Sequence, residues 1–253
     1  MGGFLSGRTS LTTVQTADIA NDAVTLAKMA AGTDGNVITY DTSGDPAVVA
    51  TGTSGHFLKS AGAGAVPTFA ADNKGAMTLV ATVTASSAAS ADFDGSLSST
   101  YDHYLMVGSN IHMDTDSTFL WVRCDTDGGD SFDAGSTSYA WSTAMKNAAA
   151  QTLEADLSDS EISLSGISGT YDWSNEATHA QAFTLWINGP SNATFLKTMH
   201  WNVSGFNTTT SPTIQVGFGV GAHLITAAYD SIQILPSSGT FDGTFRLYGI
   251  ANS

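Results

Sequence analysis

The densest run of titratable side chains is CDTDGGDSFD, Cys124 to Asp133, where Asp125, Asp127, Asp130 and Asp133 alternate with glycine and small residues directly after a predicted strand. Carboxylates at such spacing suit a hard cation such as Ca2+, which collects roughly six to eight oxygen ligands. The spacing departs from the EF-hand loop, and no bidentate Glu follows at the right distance. Asp125, Asp127 and Asp130 therefore stand as secondary metal candidates, and an Asp/Gly hairpin turn accounts for the run more simply. Asp114 and Asp116 are a still sparser pair. His56, His103, His112, His179, His200 and His223 contain no His-x-His or His-x-x-x-His spacing, which argues against zinc. No Gly-x-Ser-x-Gly elbow is present, and the three glutamates, Glu154, Glu161 and Glu176, lie near predicted loops. The pattern points to no catalytic residues and no cofactor.

The composition narrows the partner classes. A formal charge of −15 repels phosphate backbones, and because counterion release from Lys and Arg drives nucleic-acid affinity, that partner is excluded; an anionic membrane surface is disfavoured for the same reason. Charged residues make up only 12% of the chain, so solubility must come from hydroxyls and backbone amides. Cys124 is the single cysteine, which rules out an intrachain disulfide and suits a small apolar core residue. No stretch approaches the roughly 20 apolar residues of a membrane span. Met1 to Leu11 lacks the apolar run of a secretory signal.

The elements divide the chain into three parts. In residues 1–30, TADIANDAVTLAKMA (Thr16 to Ala30) reads as a short helix with Asp18 as a possible N-cap and a narrow stripe of Ile19, Val24, Leu26 and Met29. Residues 31–74 hold an internal repeat: Ala31 to Ala50 lies over Thr51 to Ala70, matching Gly32, Thr33 and Gly35 to Gly52, Thr53 and Gly55, and Val37-Ile38 to Phe57-Leu58. Pro46 and Pro67 fall one register apart. Each copy reads as strand, glycine turn, strand. A lone hairpin buries too little apolar surface to stand in water, so Val37, Ile38, Phe57 and Leu58 need a cover, and sister chains wrapped around one axis would supply it.

Residues 75–253 show alternating apolar runs separated by Gly/Ser/Asp/Asn turns. About nine strands are predicted there, enough for an antiparallel two-sheet sandwich, so the fold class is all-β. Ser142 to Asp156, with Ala144, Met145, Ala148 to Ala150 and Leu153, is the one stretch that reads as a helix or a loop excursion. In Ile214 to Gly221 the apolar set Ile214, Val216, Phe218 and Val220 is expected to face the core, leaving Gly217, Gly219 and Gly221 outward against a close neighbour. Trp186 is expected to point away from Phe183, Leu185 and Ile187.

Three segments carry a resemblance. GTSGHFLKSAGAGAVPTFA (Gly52 to Ala70) resembles the shaft repeats of bacteriophage tail-fibre and spike proteins, and DIANDAVTLAKMA (Asp18 to Ala30) is similar to the segment that introduces them. Tyr101, Tyr104 and the closing SSGTFDGTFRLYGI (Ser237 to Ile250) resemble a β-sandwich, jelly-roll-like, of fibre tips. The resemblance implies a homotrimer located on the virion, with an N-terminal segment attached to other phage tail or capsid proteins and a distal domain contacting a host cell-surface glycan. It implies a structural, non-enzymatic role in host attachment. Two repeats make a short shaft, which leaves open a head fibre, collar or tail adaptor without receptor contact, and a polysaccharide-degrading tailspike as a further alternative.

Overall fold

The computed structural model describes residues 19, 31–71, 77–126, 131–148, 150–167, 169, 171–207 and 213–251. The predicted helix over Thr16 to Ala30 lies outside the described residues except for Ile19, which is exposed. Among the described residues the protein is all-β, with no helix and sixteen strands. The chain divides into two units, Met1–Asn73 and Lys74–Ser253.

In the first unit, β1 (Val37–Tyr40) pairs with β2 (Pro46–Val49), and β3 (His56–Lys59) with β4 (Thr68–Ala71), each antiparallel. The internal repeat has a backbone basis. Gly35 and Gly55 open the two hairpins at φ 79° and 85°, Gly44 and Gly64 turn them at φ 83° and 77°, and all four conformations penalise a side chain. The entry turns match as well: Asn36 N–H donates to Thr33 O at 3.2 Å, and His56 N–H to Thr53 O at 3.0 Å. Ile38 opposes Val48 while Leu58 opposes Phe69, so the second loop is one residue longer and accounts for the offset between Pro46 and Pro67. Thr51 ties the junction, donating its hydroxyl to Asp34 O at 2.6 Å and its N–H to Asn36 Oδ1 at 3.0 Å.

The described residues of the second unit form twelve strands in two antiparallel sheets. They are β5 (Met77–Ala88), β6 (Ala91–Phe93), β7 (His103–Met113), β8 (Leu120–Asp125), β9 (Tyr139–Asn147) and β10 (Gln151–Asp159), then β11 (Ile162–Ser163), β12 (Gln181–Asn188), β13 (Lys197–Asn207), β14 (Thr213–His223), β15 (Ser231–Pro236) and β16 (Phe241–Ile250). The eight-stranded sheet runs β10-β9-β14-β13-β12-β7-β16-β5, and the four-stranded sheet β11-β8-β15-β6. Both sheets feed one core: Tyr104, Met106, Leu185, Trp201, Phe245 and Leu247 from the larger meet Phe93, Leu120, Val122, Ile232 and Ile234 from the smaller in one buried cluster. Cys124 is fully buried in it, and burial pushes its thiol well above the ordinary range.

Two sequence expectations are overturned. Ser142 to Asp156 is neither helix nor loop excursion; it is the β9–β10 hairpin, closed where Asn147 N–H donates to Ala150 O at 3.0 Å and Ala150 N–H to Asn147 Oδ1 at 2.8 Å. Its alanines suit a helix, yet Tyr139, Trp141, Thr143 and Met145 alternate inward, and pairing with β14 along the length of β9 decides the matter.

The second reversal concerns β14. Gln215, Gly217 and Gly221 are buried and point into the core, whereas Ile214, Val216, Phe218 and Val220 face outward. Large neighbours explain it. A Cβ on Gly217 would overlap Met145, one on Gly219 would overlap the Trp201 ring and come within 2.7 Å of Ser142 O, and one on Gly221 would sit 3.1 Å from Ile162. The glycines are where the core side chains of β9, β11 and β13 need room. The expectation for β12 agrees with the structure: Phe183, Leu185 and Ile187 are buried and Trp186 lies on the other face, stacked on His200 at 5.9 Å.

Candidate interaction surfaces and polar clusters

The residues expected to meet sister chains sit on the two hairpins of the first unit. Ile38, Phe57 and Leu58 are exposed and Val37 is half-buried; Tyr40 and Val48 add to the exposed set. Ile38 lies opposite Val48 and Leu58 opposite Phe69, so each hairpin carries cross-strand apolar pairs with Ile38, Val48 and Leu58 open to solvent.

A larger apolar surface lies on the outer face of the eight-stranded sheet. Ile214 (71% exposed), Val216, Phe218 (64%) and Val220 form a continuous row along β14. Phe218 pairs with Ala144 of β9, and Ala144 in turn with Leu153 of β10, which is exposed together with Leu157. On the opposite flank β13 presents Thr198, His200, Asn202 and Ser204.

The acidic loop is described only at its two ends. Asp125 is buried and accepts Ser131 N–H at 3.2 Å; Asp127 and Asp130 lie outside the described residues. Asp133 accepts Gly135 N–H at 2.9 Å, the Ser138 hydroxyl at 2.8 Å and His223 Nε2–H at 3.0 Å. Desolvation pushes its carboxyl up, but the hydrogen bonds from His223, Gly135 and Ser138 outweigh it and hold the group below its usual value. Burial lowers His223, against the opposing pull of Asp133. The ring therefore serves as a neutral donor, sandwiched against Tyr139 at 4.7 Å, while its buried Nδ1 has no hydrogen-bond partner.

Beside it lies a feature that sequence reading missed. Lys197, 3% exposed, points its ammonium at four backbone carbonyls: Asn192 O at 3.1 Å, Ile225 O at 3.1 Å, Thr226 O at 2.9 Å and Ala227 O at 2.5 Å. The Tyr229 ring centroid is 5.6 Å away. Burial lowers the lysine's pKa. One side chain thus pins the β12–β13 loop to the loop after β14. A lysine opening a strand carries no sequence signal for this, because its acceptors are backbone atoms of other segments.

The pinned loop borders a polar cleft of about 460 Å3, lined by Tyr101, Asp102, His103, Gly189, Ser191 and Asn192 among others. Gly189 N–H donates to Asp102 O at 2.7 Å, which holds its two walls together. Tyr101 is fixed edge-on to Tyr104 at 5.6 Å and covers Gly249, while Tyr104 donates its hydroxyl to Ser98 O at 2.9 Å and accepts Ser98 N–H at 2.7 Å.

A third polar group forms where β5, β7 and β16 all change register. His112, Asp114 and Asp242 bring one donor atom each within 4.8 Å of one another. His112 Nε2–H donates to Asn175 O at 3.1 Å, and its Nδ1 lies 4.0 Å from Asp114 Oδ1; Asp242 accepts Ser87 N–H at 2.8 Å, and Asp114 accepts the Thr240 hydroxyl. Nitrogen and carboxylate donors in that geometry have the chemistry to hold a divalent cation. The His-x-Asp spacing at the end of β7 was its only sequence signal. Glu154 and Glu161 are engaged elsewhere: Glu154 accepts Ile167 N–H at 2.6 Å, and Glu161 pairs with Arg123 at 3.0 Å.

No protein-family model, curated protein or solved structure matches this chain.

Proposed function

We propose that the chain is a structural subunit of a bacteriophage particle, a homotrimeric tail fibre or spike protein acting in host-surface attachment. The observation that carries this reading is the pair of hairpins repeated at a 20-residue interval, with matched glycine turns and with Ile38, Phe57 and Leu58 turned to solvent. Two-stranded ribbons of this size are not stable alone, and three copies around one axis give those side chains the cover they need. In this reading residues 31–74 are a short shaft, residues 1–30 attach to other tail or capsid proteins, and residues 75–253 form a jelly-roll-like β-sandwich tip.

The cleft at Tyr101 suits the ligand class. An aromatic ring beside amide, carboxylate and hydroxyl groups can hold a sugar, and three weak sites on one trimer multiply into useful avidity. The role proposed is non-enzymatic; the structural contacts of Glu154 and Glu161 support it for those two glutamates. The shortness of the shaft favours, as second reading, a head fibre, collar or tail adaptor without receptor contact.

The test is the mass of the full chain in solution. A trimer supports the reading, and an Ile38→Asp/Phe57→Asp variant is expected to weaken it while the second unit keeps its fold by near-ultraviolet circular dichroism. A 26.1 kDa monomer at all concentrations refutes it. Glycan-array binding that vanishes in Tyr101→Ala separates a receptor-binding tip from an adaptor.

A further inference from the structure

We propose that the outer face of the eight-stranded sheet, centred on β14, is a second self-association surface whose occupants are other copies of this chain. The inference rests on the homotrimer reading only for the number of copies, because the surface lies on a different unit from the hairpins.

Four observations carry it. The row Ile214, Val216, Phe218 and Val220, continued by Leu153 and Leu157, is exposed on a face built from adjacent strands β14, β9 and β10. Their exposed fractions correspond to an apolar patch on the order of 700 Å2, above what a typical monomer shows and close to the roughly 800 Å2 per partner of a standard interface.

Charge then selects the occupant. The chain carries 23 Asp and Glu residues and a formal charge of −15, so two copies repel over most approaches. Among the described residues of β9, β10, β13 and β14, the outward positions hold no carboxylate and a single cation, Lys146. This is a surface across which two such acidic chains can meet without placing like charges together. A basic partner would find no anion to bind there.

The anatomy fits as well. The apolar row is bordered on β13 by Thr198, His200, Asn202 and Ser204, giving the dry centre and polar rim of a protein interface. The patch is mainly aliphatic, unlike the aromatic platforms that stack on sugars. Nor does the fold require it: the inward side of β14 is shaped by its glycines around Met145, Trp201 and Ile162, so the outward side chains are free of core duty.

The experiment compares the full chain with a Val216→Asp/Phe218→Asp variant by sedimentation across concentration. Both positions point outward, and near-ultraviolet circular dichroism checks that the fold is kept. The proposal expects the apparent dissociation constant to rise at least tenfold. A folded variant with unchanged association overturns it.

Cross-linking gives a second reading that needs no loss of stability. Because Cys124 is buried, Phe218→Cys provides one reactive thiol, and a short bis-maleimide is expected to join it to its counterpart in another copy, while Asp92→Cys on β6 stays unjoined. Absence of the Phe218→Cys product overturns the proposal. The hairpin variant Ile38→Asp/Phe57→Asp keeps the two readings apart. If it dissociates and the β14 variant does not, the shaft stands and this surface falls; the reverse pattern sinks the shaft and keeps the surface. A parent chain that is monomeric at every concentration overturns both.

Discussion

His223 donates to Asp133 from a ring that burial keeps neutral, with Nδ1 facing no acceptor. Protonation would put a buried charge and a stranded N–H in the same place. Since the folded ring titrates below its free value of about 6.5, the unfolded chain takes up the proton first as pH falls. This contribution is therefore complete above about pH 6.5 and drains as pH drops below it. Asp133, also held low, adds a second loss on further acidification, beginning near its free value of about 3.9. Thermal melts from pH 7 to pH 5 are expected to show a falling Tm, and His223→Phe, which keeps the stacking on Tyr139, is expected to start lower but fall less. Lys197 is the second residue on which much depends. Lys197→Met leaves four carbonyls without their shared donor and is expected to cost about 3 kcal/mol, read by urea unfolding.

At the scale of elements, β14 shows how a strand's direction is chosen by its neighbours. Four apolar residues alternating with Gln215, Gly217, Gly219 and Gly221 look core-facing by the usual period-2 rule. The rule fails because the inner layer is already filled by Trp201, Met145 and Ile162, which occupy the volume a side chain at the glycines would need. Gly219→Ala is expected to destabilise the fold by about 1 to 3 kcal/mol through overpacking, whereas Phe218→Ser on the same strand should leave the unassociated chain's stability nearly unchanged. Chemical denaturation of both variants, at a concentration where the chain is dissociated, makes the comparison. The β9–β10 hairpin teaches a related lesson. Alanine and leucine at Ala144, Ala148, Ala150 and Leu153 satisfy a helical reading locally, and only the partner strand β14 reveals the alternation of Tyr139, Trp141 and Met145 as the signal to follow.

For the whole molecule, low charge density and high net charge act together. The proposed association brings acidic chains together against their own repulsion, so added salt should strengthen it rather than weaken it. Raising ionic strength from about 0.01 M to 0.15 M shortens the screening length from about 30 Å to about 8 Å, and the dissociation constant from sedimentation is expected to fall. Association also links stability to concentration: the Tm of the parent chain should rise with protein concentration, and the dependence should flatten in the variants that disrupt contact.

The amino-acid sequence alone determined the β class, the glycine turns and their 20-residue interval, the outward Trp186 and the burial of Cys124, because each follows from local conformational freedom or from a two-residue period. Tertiary structure decided the rest. Which face of β14 is buried depends on the bulk of side chains from β9, β11 and β13, and Ser142 to Asp156 becomes strand because β14 offers it a hydrogen-bonding edge. The convergence of Lys197 on carbonyls of distant loops, and of His112, Asp114 and Asp242 at a shared bulge, depends on how far-separated segments are brought together. Such meetings depend on through-space packing, which no local pattern along the chain records.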